Sequence, residues 1–508
     1  MLSKIRQEDP RYGELTQRNF NKRGEGRPDY FYLPRSTAEV VAAVQDAVNA
    51  NLRVVVRSGG HCLETFVSDG AVRVVIDLSL MTGVTYDDAF GAFEVAAGTT
   101  LGEVHRRLFY GWGVALPAGQ SPDIGIGGHV LGGVFGFLHR AYGLACDHLY
   151  AVEVVTVDVH GVASSTIATR EADDPHRELL WAHTGGGGGN FGIVTRYWFR
   201  SHDVEPGEPA RALPVAPKHV RALRTEWNWS DLDEHSFTRI LQNFGEWTAI
   251  HSQPGDRFSK FFSVLLADYR QEGARVVVRS ISFDDDANST LLEEHRDAIV
   301  NGISPQPTTT PSEHSWLNFA LNPFPDLFAV GPLGTSGMPA KIKIKDALLR
   351  APMTHEQIAT LYHYLTIPDL RFGGAFGMAT YGGEINRVAP NATAAVHRNS
   401  ILDIACNVGW MEPADEARST EWVRGMFREI FSESGGVPAP NDRCEGAMIN
   451  HPDADLADPS INTSGISWKE IYYGENYARL EAVKVRWDPL NVFHHALSIP
   501  LPDNALRS

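Results

Sequence analysis

Arg57-Ser58-Gly59-Gly60-His61 follows directly on the apolar run Val54-Val55-Val56, so a short buried strand ends in a tight glycine turn that presents a histidine. Glycine lets the backbone take positive φ and approach a ligand closely. Working outward, glycine is unevenly spread: 27 of the 47 lie before residue 206, eight of them between Gly119 and Gly143, and Gly185 to Gly189 is an unbroken run. Ile124, Ile126, Val130, Leu131, Val134 and Phe135 interleave the middle cluster, which a flexible linker would lack. The pattern reads as packed backbone facing a ligand.

Around these turns, strand and helix signals alternate. Ser36-Thr37-Ala38-Glu39 and Thr100-Leu101-Gly102-Glu103 have capping-box spacing and open two amphipathic helices. Segments 72–78, 93–97, 151–159 and 192–199 read as strands. Glu205-Pro-Gly-Glu-Pro marks a boundary, after which 261–266 and 275–283 are strand-like, 414–432 is an amphipathic helix and 468–486 a final helical segment. The expected organisation is α+β, with units at 1–205, 206–460 and 461–508.

Composition narrows the function classes. The chain has 508 residues, 43% hydrophobic, with 45 Lys and Arg against 62 Asp and Glu, a net charge of −17. This supports large packed cores and argues against nucleic acid, whose binding needs basic patches. The four cysteines, Cys62, Cys146, Cys406 and Cys444, have no C-x-x-C spacing, which excludes a zinc ribbon or iron–sulfur module. No apolar run reaches the length of a membrane span, and the first residues lack the apolar core of a signal peptide, so a cytoplasmic protein without a membrane partner is expected. The adjacent His494-His495 pair is a poor metal site, because neighbouring side chains rarely aim at one ion, and no metal is expected.

Three phosphate-binding readings can be tested. No G-x-x-x-x-G-K-[ST] string exists, and Gly125-Ile126-Gly127-Gly128 begins a Rossmann fingerprint but carries Val130 at the last glycine. The remaining reading is a flavin site built from separated glycine turns. Arg57 to His61; Pro117-x-Gly119 with Gly125-x-Gly127-Gly128-His129 and Gly132, Gly133, Gly136; Gly185 through Asn190-Phe191-Gly192-Ile193; and Tyr472-Tyr473-Gly474-Glu475-Asn476 with Trp487-Asp488-Pro489-x-Asn491 occur in one order along the chain. In that order they resemble the berberine-bridge-enzyme-like FAD-linked oxidases of the vanillyl-alcohol-oxidase superfamily, nearest to bacterial members that oxidise sugars or alcohols of secondary metabolites. The resemblance implies a two-part FAD-binding domain of PCMH type around an inserted α+β substrate domain built on an antiparallel sheet.

It also implies site residues. Arg57, Ser58, Gly59, Gly60, Gly125, Gly128, Gly132, Gly133, Asn190 and Ile193 would cradle FAD, and His61 would bond covalently to the flavin 8α-methyl carbon. His129 would contact flavin or satisfy buried backbone; Tyr473 and Asn491 would hold the flavin end of the pocket. Two departures stand out. Many members carry a second flavin link from a cysteine where this chain has Ser121, so a single link through His61 is expected. In Met448-Ile449-Asn450-His451-Pro452-Asp453-Ala454-Asp455, His451 occupies the place of the family's tyrosine base. An imidazole with an ordinary pKa of about 6.5 suits that task. Tyr381 matches a second active-site tyrosine and would serve as base or relay, while Glu384 and Asp453 read as solvated acids.

The resulting expectation is an FAD-dependent oxidase. It would use O2, release H2O2 and oxidise a hydroxyl of a sugar or secondary-metabolite intermediate by hydride transfer to flavin N5. Oxidative cyclisation or desaturation by the same flavin is the alternative, and a non-redox cyclase or binding protein a lesser one. Oligomeric state is left open.

Overall fold

A computed structural model describes residues 2–286, 288–323, 341–368 and 373–502. Both capping boxes act as caps. Ser36 and Thr100 accept from the amides of Glu39 and Glu103 and start helices Thr37–Asn49 and Leu101–Trp112. The first helix buries Val40, Ala43, Val44 and Ala47 on one stripe, as its spacing requires.

Strands up to Phe199 form two small sheets. Tyr30–Tyr32, Val74–Asp77 and Val54–Arg57 lie parallel, with Val74–Asp77 in the middle. Val84–Asp87, Ala92–Ala96, Ile193–Phe199, Leu149–Val157 and Ala163–Thr169 form an antiparallel sheet in that order. Leu149–Val157 is buried along its whole length, matching a strand covered on both faces.

From His219 to Gly446 the strands form one eight-stranded antiparallel sheet. The order is Thr308–Ser315, His219–Asn228, Arg275–Ser282, Phe261–Asp268, Gly373–Thr380, Leu402–Trp410, Lys341–Leu349 and Cys444–Gly446. Period-two alternation splits this sheet into two faces. Leu265, Phe376, Ile404 and Leu349 point into a core shared with helices Glu234–Ile250, His355–Thr366 and Glu416–Ile430. Val264, Leu266, Ala379, Ala405 and Ile344 point the other way and line a cavity.

Residues after Gly446 return to the first part of the chain. Lys484 Nζ, fully buried, donates to Asn190 O (2.8 Å), Phe493 O (2.7 Å) and Asp488 Oδ2 (2.6 Å). Ile499 N donates to Asn190 Oδ1 (2.9 Å). The last helical segment is not continuous as expected. It runs Trp468–Tyr473, breaks, and resumes as Tyr477–Trp487. Gly474 at φ 48° and ψ −134° cannot continue a right-handed helix. All four cysteines are free. Among the described residues no helix is long and apolar enough to cross a membrane.

Candidate active site

A cavity of about 1140 Å³ lies between the glycine turns and the open face of the eight-stranded sheet. Arg57, Ser58, Gly59, Gly60, His61, Ser121, Gly125, Gly128, His129 and Gly132 line it, drawn from segments that sequence alone only ordered along the chain. Two turns touch. A Cβ on Gly59 would stand 2.2 Å from Gly125 N, and one on Gly125 would stand 2.2 Å from Gly59 N and from Ser58 Oγ. Only glycine fits either place. Gly125→Ala is therefore expected to push the turns apart at an overpacking cost of about 1–3 kcal/mol and to lower flavin incorporation. The check is the ratio of flavin to protein absorbance in the purified protein. Gly111→Ala, whose Cβ meets nothing within 4 Å, is expected to leave that ratio unchanged.

The turn after Val54–Arg57 is fixed from beneath. Arg57 Nε donates to Asp77 Oδ2 (2.6 Å) and Nη1 to Asn19 Oδ1 (3.1 Å), while buried Nη2 has no protein partner. Arg18 also pairs with Asp77 and donates to Ser58 O (2.8 Å). Gly60 takes φ 81°, turning the chain so that His61 stacks on Phe20, centroids 4.6 Å apart. Burial lowers the His61 pKa, against the opposing charge of Asp123, so the ring is neutral at physiological pH. Arg18, Lys22 and Arg57 make this part of the lining cationic despite the acidic total.

His129 has a definite task. Its Nε2 accepts from Gly119 N (2.8 Å), bracing the loop that leads to Ser121. Burial lowers its pKa to about 3, so it stays neutral. The Gly185–Gly189 run is braced from behind: Asn190 Nδ2 donates to Gly186 O (2.9 Å) and the Tyr473 hydroxyl to the same oxygen (3.1 Å). Asn190, Ile193, Tyr473, Asn491 and Gly133 are thus not among the lining residues. Asn491 adopts φ 51° beside the Lys484–Asp488 pair, and Gly133 at φ 71° packs on Ala395. His495 was missed as a site residue: it lines the cavity, stacks on Phe66 at 4.2 Å, and its ring nitrogens meet Gly188 O and Leu497 N.

His451 lines the same cavity as His61. Asn450 Nδ2 donates to Gly128 O (3.1 Å) and His129 O (3.2 Å), seating the 448–452 turn on the glycine segment. Beyond His451 the chain passes to the other face of strand Lys341–Leu349. There Asp453 meets Lys343 Nζ (2.6 Å) and Lys345 Nζ (2.5 Å), and Asp455 meets Lys345 Nζ (2.8 Å) and Arg424 Nη2 (2.7 Å). Glu64 completes the cluster at 2.5 Å from Lys343. Asp453 is 2% exposed, so its reading as a solvated acid is corrected: it anchors the turn that carries His451. Tyr381 is buried and absent from the lining; its ring packs edge-on to Phe135, which does line the cavity. Burial raises its pKa, so it remains a phenol.

Asp346 and Asp403 stand beside His451, and ligand atoms of all three lie within 4.8 Å of one another. That donor set could share protons or hold a cation. Neither acid was singled out in the sequence, because each is one residue of an alternating strand, far from position 451.

The residues present fit FAD: backbone turns that exclude a Cβ, a buried guanidinium nitrogen with a free donor, and a cavity lined both by these and by the sheet. A family model for the FAD binding domain matches residues 28–160, and a berberine and berberine-like model matches 447–500. Aclacinomycin-N/aclacinomycin-A oxidase of Streptomyces galilaeus is 45% identical over 501 residues, covering 99% of this chain and 90% of that protein. The crystal structure of aclacinomycin oxidoreductase superposes with TM-score 0.94 at 45% identity, covering 99% of this chain and all of that one. A glycopeptide hexose oxidase complexed with teicoplanin gives TM-score 0.92 at 41% identity, covering 98% and 99%. The protein is thus an FAD-linked oxidoreductase of PCMH-type fold. It belongs to the berberine-bridge-enzyme-like family.

Proposed function

We propose that the protein is an oxidase that holds FAD through a covalent bond from His61. It would oxidise a hydroxyl group of a sugar moiety or secondary-metabolite intermediate, with O2 as acceptor and H2O2 as product. The observation that carries this reading is one cavity lined by both His61 and His451. The substrate class follows the names of the similar proteins, an oxidase of aclacinomycins and a hexose oxidase bound to a glycopeptide.

Bound FAD supplies a hydride acceptor at N5 and a route for electrons to O2. His61, kept neutral by burial, is the nucleophile for attachment. Ser121 has no thiol to offer, so the link is single. His451 accepts the hydroxyl proton as the carbinol hydrogen departs. Tyr381, a buried phenol, shapes the wall behind Phe135. The glycine turns and Arg57 would hold the pyrophosphate.

Two measurements test this. Acid-denatured protein is expected to stay yellow, while His61→Ala releases its flavin into the supernatant; flavin retained by that variant would overturn the linkage. An anaerobic screen of hexoses and glycosylated metabolites that bleaches the flavin identifies the substrate. Product NMR then separates alcohol oxidation from oxidative ring closure, which the loss of both family residues at positions 121 and 451 keeps as a second reading.

A further inference from the structure

Two buried carboxylates flank His451, and the reading of His451 as base does not by itself use them. Asp346 and Asp403 sit on neighbouring strands and point to the cavity face. Asp346 is paired in register with Ala405, and Asp403 with Leu348. The Asp346 side chain is 1% exposed, with Oδ2 3.7 Å from His451 Nδ1. Met448 N donates to that oxygen (3.3 Å), while Asp346 Oδ1, Asp403 Oδ1 and His451 Nδ1 have no hydrogen-bond partner. Among the described residues neither acid is paired with Lys or Arg, since Lys343 and Lys345 on the same strand face the opposite side.

An unpaired buried carboxylate costs several kcal/mol. Two of them around one imidazole are tolerable only if the three groups share protons. We propose that Asp346 and Asp403 are positioning residues that act through Nδ1 of His451, fixing its tautomer, turning Nε2 to the substrate and raising its basicity. In the step this serves, the substrate O–H bond breaks and its proton goes to Nε2. The Nδ1 proton stays against the carboxylates, which balance the new imidazolium charge. This inference rests on His451 being the base.

The electrostatics agree in sign. Burial lowers the His451 pKa, but Asp346 and Asp403 outweigh it and raise it above the ordinary value. Burial raises Asp346, and raises Asp403 to about 7, with His451 opposing both. The other titratable groups facing this unit are His129 near His451, His397, Tyr472 and Cys444 near Asp346, and Tyr381 near Asp403. None supplies a fixed positive charge.

Carbethoxylation tests the assignment in the holoenzyme without substrate. Diethyl pyrocarbonate reacts with neutral imidazole, so the rate of labelling of the His451 peptide against pH, read by mass spectrometry, gives its midpoint. In the parent enzyme that midpoint is expected above about 6.5. Asp346→Asn is expected to lower it by about one unit or more, Asp403→Asn by less, and Asp346→Glu to restore it. A midpoint unmoved in Asp346→Asn with normal flavin content would overturn the proposal. If Asp346→Asn does not retain flavin, an unmoved midpoint in Asp403→Asn decides against it in the same way. A midpoint lowered by Mn2+ alone and restored by chelator would show a cation in place of the shared proton, which also overturns it. If the midpoint moves as expected but His451→Gln reduces flavin normally, the base assignment fails while the unit stands. The converse leaves the base and removes the carboxylates.

Discussion

Replacing His451 by glutamine is expected to slow anaerobic flavin reduction about 10²- to 10⁴-fold, the usual contribution of a general base. Flavin content should stay within the parent range. Glutamine keeps a polar group of similar reach, so the Asn450 contacts to Gly128 and His129 that seat the turn are retained. What it lacks is a nitrogen that can take a proton near neutral pH. The parent reaction should have an acidic limb, because the base works only when neutral. With the His451 pKa raised by its carboxylate neighbours, activity rises as pH climbs through that elevated value and falls away below it. The variant should lose this limb along with the rate. Stopped-flow bleaching with whichever hydroxyl compound reduces the parent flavin measures both. Near-parent reduction would remove His451 from the base role.

The second large effect is expected on the reverse face of the same strand. Asp453 lies 2.5 and 2.6 Å from Lys345 and Lys343, all three almost fully buried. Asp453→Ala leaves two ammonium groups in a poorly solvated site with Glu64 and Asp455 as remaining acids. Breaking a buried pair by removing one partner costs about 3–5 kcal/mol. With an unfolding entropy of about 2.1 cal/mol/K per residue, a chain of this length loses about one degree per kcal/mol. A melting point lower by about 3–5 °C is therefore expected in calorimetry. Flavin reduction should slow as well, since the turn bearing His451 is anchored two residues later. An unchanged melting point would mean that the cluster's remaining acids suffice.

The glycine turns were legible because clustered glycines mark close backbone approach, although the approach itself, as between Gly59 and Gly125, is long-range. The caps at Ser36 and Thr100 were legible because their reason is local, the capping amide being three residues away. Lys343, Lys345 and Asp346 were not. The alternation in Lys341-Ile342-Lys343-Ile344-Lys345-Asp346 was not singled out, and alternation alone does not say what faces the lysines. In the fold both faces are covered, so the lysines are neutralised by acids from positions 64, 453 and 455, and Asp346 is buried beside His451. Alternation reveals that a strand has two faces, but not which distant segment covers each. The break at Gly474 was hidden by good helix formers on both sides. His451 was visible through its family neighbours, whereas its two carboxylate companions were visible only after the sheet brought strands 341–349 and 402–410 together.

The stitching of Asn190 to the end of the chain sets a clock. Its side-chain oxygen waits for the amide of Ile499, 309 residues downstream, and its carbonyl waits for Lys484. At about 5–20 residues per second of synthesis, that is an interval of roughly 15–60 s during which the glycine run lacks the part of its brace that comes from the distal residues. The part of the molecule made first is therefore completed last. A ribosome-bound chain ending before Lys484 would lack the anchor of one cavity wall.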